Sequence, residues 1–197
     1  MKKANIAVLV SGGGTNLQAL IDYKKEKRNY DIKLVISSNS QAFALTRAKA
    51  NNIPTFVVPK NNFKNQNVFE EKIIKILEEN DIHLIVLAGF MCILSKNFTS
   101  KFSNRIINVH PSLIPSFCGK GFYGLEVHKK ALEYGVKLTG ATVHFVNEIP
   151  DGGKIIMQKP VKVMPNDTPE ILQRRVMEQA EWKILPKAVD QISKKFI

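Results

Sequence analysis

Acidic residues are scarce in this chain: 17 Asp and Glu stand against 29 Lys and Arg, a formal net charge of +12. Such an excess admits two explanations, a polyanionic partner such as nucleic acid or plain solubility. Cysteine is nearly absent. Cys92 and Cys118 lack Cys-x-x-Cys spacing, which excludes a disulfide scaffold and offers neither a zinc site nor a redox pair, so no metal is expected. Long apolar runs are missing as well. The longest, Leu84 to Met91, has the length of a core strand, and Met1-Lys2-Lys3-Ala4-Asn5-Ile6 lacks the apolar region and cleavage site of a secretory signal. The expectation is a cytoplasmic protein with no membrane partner. No linker rich in Gly or Ser, no low-complexity stretch and no repeat divides the 197 residues, a length that suits a single domain.

What is present reads as a folded protein, 44% apolar and 23% charged. Strands are expected at Asn5 to Ser11, Lys33 to Ser37, Thr55 to Val58, Leu84 to Leu87 and Ile106 to Val109. Helices are expected at Asn16 to Lys25, Ala42 to Asn51 and Asn65 to Glu79, the last from the spacing of Val68, Phe69, Ile73, Ile74 and Leu77. Strand and helix alternating over short connections define a doubly wound α/β protein with a mostly parallel sheet. After His110 the character changes to a loop rich in Pro, Gly and aromatics, Pro111 to Tyr123. A short helix from Gly124 to Leu132 follows, then strands at Leu138 to Phe145 and Lys154 to Val163. Thr168-Pro169-Glu170 reads as an N-cap, a first-turn proline and an acid opening a last helix toward Ile197. A shift of composition inside one fold marks active-site loops in the second half.

The first strand runs into Ser11-Gly12-Gly13-Gly14-Thr15-Asn16-Leu17. Glycines allow close approach to an anion while the free amides of a first helical turn point at it. The spacing is not the dinucleotide fingerprint, because Leu17 stands where a third glycine belongs and Ser37-Ser38-Asn39 carries no acid for a ribose. Nor is it a P-loop, for no Lys follows the glycines. A phosphate cradle for a small substrate remains, beside the simpler alternative of a tight turn, with Thr15 and Asn16 as added donors.

The fifth strand delivers Asn108-Val109-His110-Pro111-Ser112-Leu113. Residues two apart in a strand share a face, so Asn108 and His110 point together from the carboxyl end, where open α/β sheets bind ligands. A histidine there can donate a proton and an amide can hold a carbonyl oxygen. Taken alone the pair reads more readily as a capping Asn and a satisfied His. Asp151 in Ile149-Pro150-Asp151-Gly152-Gly153 is either a turn residue or a carboxylate that would keep His110 charged near neutral pH. His83 and His144, in apolar strand context, read as structural, and His128 as undecided.

Taken in order, Ser11-Gly12-Gly13-Gly14-Thr15-Asn16-Leu17-Gln18-Ala19-Leu20, Leu87-Ala88-Gly89-Phe90-Met91, Asn108 to Pro115 and Gly140-Ala141-Thr142-Val143-His144-Phe145-Val146 resemble the formyltransferase family. The likeness runs from Ile6 to about Pro186. The Asn-x-His loop and the later Asp are shared with the members that act on methionyl-tRNA, whereas the Asn-Leu-Gln-Ala opening is similar to the phosphoribosylglycinamide formyltransferases. The resemblance implies a Rossmann-like fold, 10-formyltetrahydrofolate as cosubstrate and glycinamide ribonucleotide as the formyl acceptor in purine synthesis. It implies Asn108, His110 and Asp151 as a catalytic trio, the first two holding the oxygen of a tetrahedral intermediate.

The same resemblance implies substrate contacts from Gly14, Thr15 and Asn16. Folate contacts are implied from Asn108, from Met91, Cys92, Ile93 and Leu94, and from Asn147, Glu148, Ile149, Pro150 and Asp151. The family often has Arg where Cys92 stands and another basic residue near Gln66, so the chain departs from it at both; Lys64 and other lysines are left for the folate tail. Counting back from Pro186 gives Glu181 as the residue at the substrate's glycinamide end, with Glu178 competing because the preceding Arg-Val pair lies one residue too far away. The loop Ser116 to Leu125 is either a folate-side flap or a longer surface connection. A tRNA-directed formyltransferase or a formyltetrahydrofolate hydrolase would be expected to carry a further domain. A nucleic-acid module would cluster its basic residues with aromatics, whereas Lys24, Lys25, Lys27, Arg28, Lys72, Lys75, Lys129, Lys130, Lys194 and Lys195 read as solvated faces. Monomer and homodimer both stay open.

Overall fold

The computed structural model describes residues 2–23 and 28–197; the expected positions Lys24, Lys25 and Lys27 lie outside the described residues. Seven strands form one sheet: β1 (Ala4–Val10), β2 (Tyr30–Ser37), β3 (Thr55–Val57), β4 (Leu84–Leu87), β5 (Ile106–His110), β6 (Leu138–Phe145) and β7 (Ile155–Lys162). Their spatial order is β3-β2-β1-β4-β5-β6-β7. The first five are mutually parallel, while β6 runs antiparallel to β5 and β7 to β6. The chain leaves β1 toward one edge and returns at β4 to build toward the other, so the crevice between β1 and β4 is the switch point where such sheets take ligands.

Alternation along the strands divides the core. Ile6, Val8 and Val10 of β1 face one cluster with Leu84 and Val86 of β4, while Ala7 and Leu9 face the other with Ile85 and Leu87. Helices α1 (Thr15–Asp22) and α2 (Phe43–Ala50) cover the first face, together with α6 (Pro169–Val176) and α7 (Trp182–Ser193). Helices α3 (Gln66–Glu79) and α4 (Lys96–Lys101) cover the second, and α5 (Leu125–Tyr134) joins β5 to β6. On β5, Ile107 and Val109 enter the first cluster and Ile106 the second, so Asn108 and His110 lie on the α3 and α4 side.

Local signals set the helix starts. The Asn65 and Thr168 side chains accept from Val68 N at 3.0 Å and Ile171 N at 3.3 Å, and Pro169 opens α6. Helix α4 is not among the sequence expectations; at six residues it is too short for periodicity, yet Ser95 caps it by accepting from Phe98 N at 3.2 Å. Between α6 and α7 the chain does not break. Met177–Glu181 forms a π turn, which absorbs one extra residue in an otherwise continuous helix. The turn lies between the Arg175-Val176 pair and Glu181, the interval in which the sequence shows its extra residue. Among the described residues, no helix is long and apolar enough to cross a membrane.

Candidate active site

The strand ends deliver the site. A cavity of about 740 Å³ is lined by Met91, Cys92 and Ile93 after β4, by Asn108 and His110 of β5, and by Asp151 and the loop 119–124. A smaller recess of about 130 Å³ adjoins it, sharing Asn108, Pro150 and Asp151 and adding Leu94, His144, Asn147 and Glu148. Ile149 lines neither and is exposed. Asp151 reaches the site by a left-handed turn, φ 57°, and Gly153 lets that turn press on β6: a Cβ there would sit 1.7 Å from Phe145 O. The loop after His110 is pinned from β6, where Thr142 Oγ1 donates to Ser112 O at 2.7 Å and accepts from Ile114 N at 3.1 Å.

Asp151 lies between two imidazoles. Its Oδ2 is 3.5 Å from His110 Nδ1 and its Oδ1 is 3.6 Å from His144 Nε2, while Gly119 N donates to Oδ2 at 2.9 Å. Strand pairing explains the second imidazole, because Asn108 and His144 are direct cross-strand partners, with Asn108 Nδ2 3.3 Å from His144 Nε2. The structural role expected of His144 is thus corrected: it belongs to the site, buried against the carboxylate. His83 keeps its expected role, its Nδ1 accepting from Asn5 N at 2.9 Å.

Charge balance departs from the sequence expectation too. Burial pushes the His110 pKa down, and the opposing pull of Asp151 and of the Phe117 carbonyl does not restore it. Phe117 O can only accept, so His110 Nε2, 2.9 Å away, carries a hydrogen, and Nδ1 is the nitrogen that faces Asp151. Asp151 is pushed up by burial, but His144, His110 and the Gly119 amide outweigh this and hold it below the usual carboxylate range. His128 is fully buried, with neither nitrogen partnered among the described residues, and burial followed by the proximity of His110 pushes its pKa down to about 4.

The glycine turn forms the second half of the crevice. Ser11 N donates to Gly89 O at 3.0 Å and Met91 N to Ser11 Oγ at 2.9 Å, which staples the turn to the segment after β4. Gly14 caps α1 at φ 71°, and a Cβ there would lie 2.6 Å from the Ala44 Cβ. Thr15 Oγ1 points to Met177 Sδ at 3.9 Å, and Asn16 Nδ2 donates to Glu181 Oε2 at 2.7 Å in a buried contact. Burial pushes the Glu181 carboxyl up, partly offset by the Asn16 amide. Asn16 Oδ1 is buried without a donor among the described residues. Glu178, the competing acid, is exposed and pairs with Arg174 at 2.8 Å.

Gln66 does not replace a basic residue. Its Nε2 donates to Ile93 O at 3.0 Å and to Glu70 Oε1 at 2.9 Å. Glu70, buried and not singled out in the sequence, also accepts from Ser95 N at 2.7 Å and from Ser95 Oγ. These bonds fix the backbone of residues 91–95 from α3.

A doubly wound sheet with an amide, an imidazole and a carboxylate converging on one cavity at its strand ends defines an enzyme acting on small molecules. Residues 4–189 match the model of the formyl transferase family, and the chain belongs to that family. It is 45% identical over 193 residues to the human trifunctional purine biosynthetic protein adenosine-3, covering 98% of this chain and 18% of that protein. With the phosphoribosylglycinamide formyltransferase of Haemophilus influenzae it shares 43% identity over 187 residues, 94% of this chain and 84% of the relative. The solved phosphoribosylglycinamide formyltransferase of Coxiella burnetii superposes with a TM-score of 0.90 at 39% identity, covering 98% of this chain and 89% of the other.

Proposed function

We propose that the chain acts as a single catalytic domain that transfers the formyl group of 10-formyltetrahydrofolate to the amine of glycinamide ribonucleotide. The products are formylglycinamide ribonucleotide and tetrahydrofolate, and the reaction belongs to purine synthesis in the cytoplasm. The observation that carries the reading is the lining of one cavity by Asn108, His110 and Asp151, next to a separate polar cradle at Gly14, Thr15, Asn16 and Glu181. The cavity has the size of a cofactor site and a largely apolar rim in Phe90, Met91, Ile93 and Pro150, which suits a pterin. In the cradle, the unpaired Asn16 Oδ1 and the Glu181 carboxyl await donors, such as ribose hydroxyls or an amine, while the first-turn amides of α1 suit a phosphate.

The amine of the acceptor attacks the formyl carbon, a new C–N bond forms, and the C–N bond to the folate nitrogen breaks. Negative charge on the formyl oxygen is met by Asn108 Nδ2 and by the His110 Nε2–H, which donates to the Phe117 carbonyl in the unliganded protein and exchanges that acceptor for the formyl oxygen. Asp151 steadies the imidazole as it gains positive character. The proton lost by the amine passes to the folate nitrogen, through a water. None of these steps calls for a metal. The excess of basic residues needs only two anionic small molecules and solvated lysines: Lys75 and Lys129 pair with Glu79 and Glu133 along their own helices.

The test is an assay with glycinamide ribonucleotide and 10-formyltetrahydrofolate on the intact protein and on His110→Ala and Asp151→Asn. Formyl transfer that collapses in both variants supports the reading. Unimpaired turnover in His110→Ala, or transfer to methionyl-tRNA alone, overturns the mechanism or the acceptor.

A further inference from the structure

The cavity assigned to the folate is short of positive charge. Asp151 and Glu148 stand on the walls of its two hollows, and among the described residues lining them Lys120 is the one lysine or arginine. Gln66 and Cys92 supply no cation, Lys96 is paired with Glu148 at 3.1 Å, and Lys64 lines neither hollow. Lys120 is exposed, and it takes part in no hydrogen bond or ion pair among the described residues.

Backbone bonds fix the loop that carries it. Gly119 N donates to Asp151 Oδ2 at 2.9 Å and Phe122 N to Gly119 O at 3.1 Å, a turn centred on Lys120 and Gly121. Gly121, at φ 92°, supplies the left-handed third residue of a type II turn. The Phe117 ring packs against those of Phe122 and Tyr134 at centroid distances of 6.4 and 6.0 Å. The turn therefore ties the Lys120 backbone to Asp151 while leaving its ammonium free. Tyr123, 62% exposed, adds a phenol ring to the same wall.

A folate is anionic at one end alone, since its pterin and aminobenzoyl rings are neutral and its carboxylates belong to the glutamate. Resting on the folate reading above, we propose that Lys120 selects the glutamate end of the donor, its ammonium pairing with a glutamate carboxylate at the cavity mouth while Tyr123 lies along the aminobenzoyl ring. A pterin without that tail would meet the same Asn108, Asp151 and apolar rim but no cation. Asp151 and Glu148 sharpen the choice, because they repel a carboxylate from the inner hollow and leave the mouth as the place where it is stabilised.

The experiment is a calorimetric titration of the intact protein and of Lys120→Met with tetrahydrofolate and with tetrahydropteroate, which lacks only the glutamate, both kept reduced by added thiol. The intact protein is expected to bind tetrahydrofolate about fivefold more tightly than tetrahydropteroate, the scale of an exposed ion pair, and the difference is expected to shrink as salt is added. In Lys120→Met the two ligands are expected to bind within about twofold of each other, with the tetrahydropteroate affinity unchanged. Lys120→Arg, which keeps the charge, and Lys64→Met, which leaves the cavity untouched, are both expected to retain the preference.

A preference that survives in Lys120→Met, or that disappears in Lys64→Met instead, overturns the proposal. So does an equal loss for both ligands in Lys120→Met, which assigns the loop to shape alone, and so do equal affinities in the intact protein. Binding of neither ligand to the intact protein overturns the folate reading itself, a result separate from loss of the tail preference. Thermal melting of each variant verifies folding.

Discussion

Asn16 and Glu181, 165 positions apart, meet in a buried hydrogen bond of 2.7 Å between the first turn of α1 and the π turn before α7. The contact leaves Asn16 Oδ1 without a donor and one carboxylate oxygen free for the ligand. Glu181→Gln is therefore expected to raise the KM for glycinamide ribonucleotide by about 10- to 100-fold, the cost of losing a hydrogen bond to a charged group, about 1.5–3 kcal/mol. Glu178→Gln, on the exposed face, is expected to leave KM unchanged. Steady-state kinetics with the acceptor varied decides between the two acids.

The titration of His110 can be read by NMR. Burial dominates its environment, so its imidazole is expected to titrate below the ordinary 6.5 in the unliganded protein. Asp151 pulls in the opposite direction, and Asp151→Asn is expected to lower that pKa further while reducing kcat about 100-fold or more, as for loss of an electrostatic partner in an active site. An upward shift in Asp151→Asn would contradict the geometry. His144→Phe removes one of the groups that hold Asp151 down, so the acid limb of kcat/KM is expected to move to higher pH.

His128 links stability to pH. Its folded-state pKa of about 4 lies below the unfolded value near 6.5, so between these values the unfolded chain binds the proton that the native state refuses. The stabilisation is complete above 6.5 and is lost as the pH falls toward about 4, to the extent of roughly 3 kcal/mol from this one group. His128→Phe, folded or partly destabilised, is expected to flatten the acid side of a plot of unfolding free energy against pH. Urea melts at several pH values measure it.

Glu70 fixes residues 91–95 without touching the cavity. Glu70→Gln keeps the shape but removes the charge that binds the Ser95 amide and hydroxyl, each such charge-assisted bond being worth about 1.5–3 kcal/mol. The expectation is a KM for 10-formyltetrahydrofolate raised about tenfold with kcat nearly intact. A fall in kcat alone would assign Glu70 a different role.

Much of the architecture was legible because its causes are local. Near-continuous apolar runs in Ala4–Val10 and Leu84–Leu87 give strands buried on both faces, and Thr168-Pro169 caps a helix by its own side chain and fixed φ. The glycine turn and the Asn108-x-His110 pair were legible for the same reason, a short spacing with one geometric outcome. Helix α4 was missed because six residues show no period. His144 was missed because an apolar strand context says nothing about what lies opposite on the neighbouring strand.

The sequence by itself determined the element types, the position of the ligand turn and the pairing of an amide with an imidazole on one strand face, since all of these follow from backbone geometry over a few residues. Only the tertiary structure decided which charges meet. The antiparallel register of β6 set His144 opposite Asn108, the turn at Asp151 carried its carboxylate between two imidazoles, and the π turn aimed Glu181 rather than Glu178 at Asn16. Burial then pushed the His110 pKa down against the pull of Asp151, because desolvation depends on everything packed around a group and not on its neighbours in sequence.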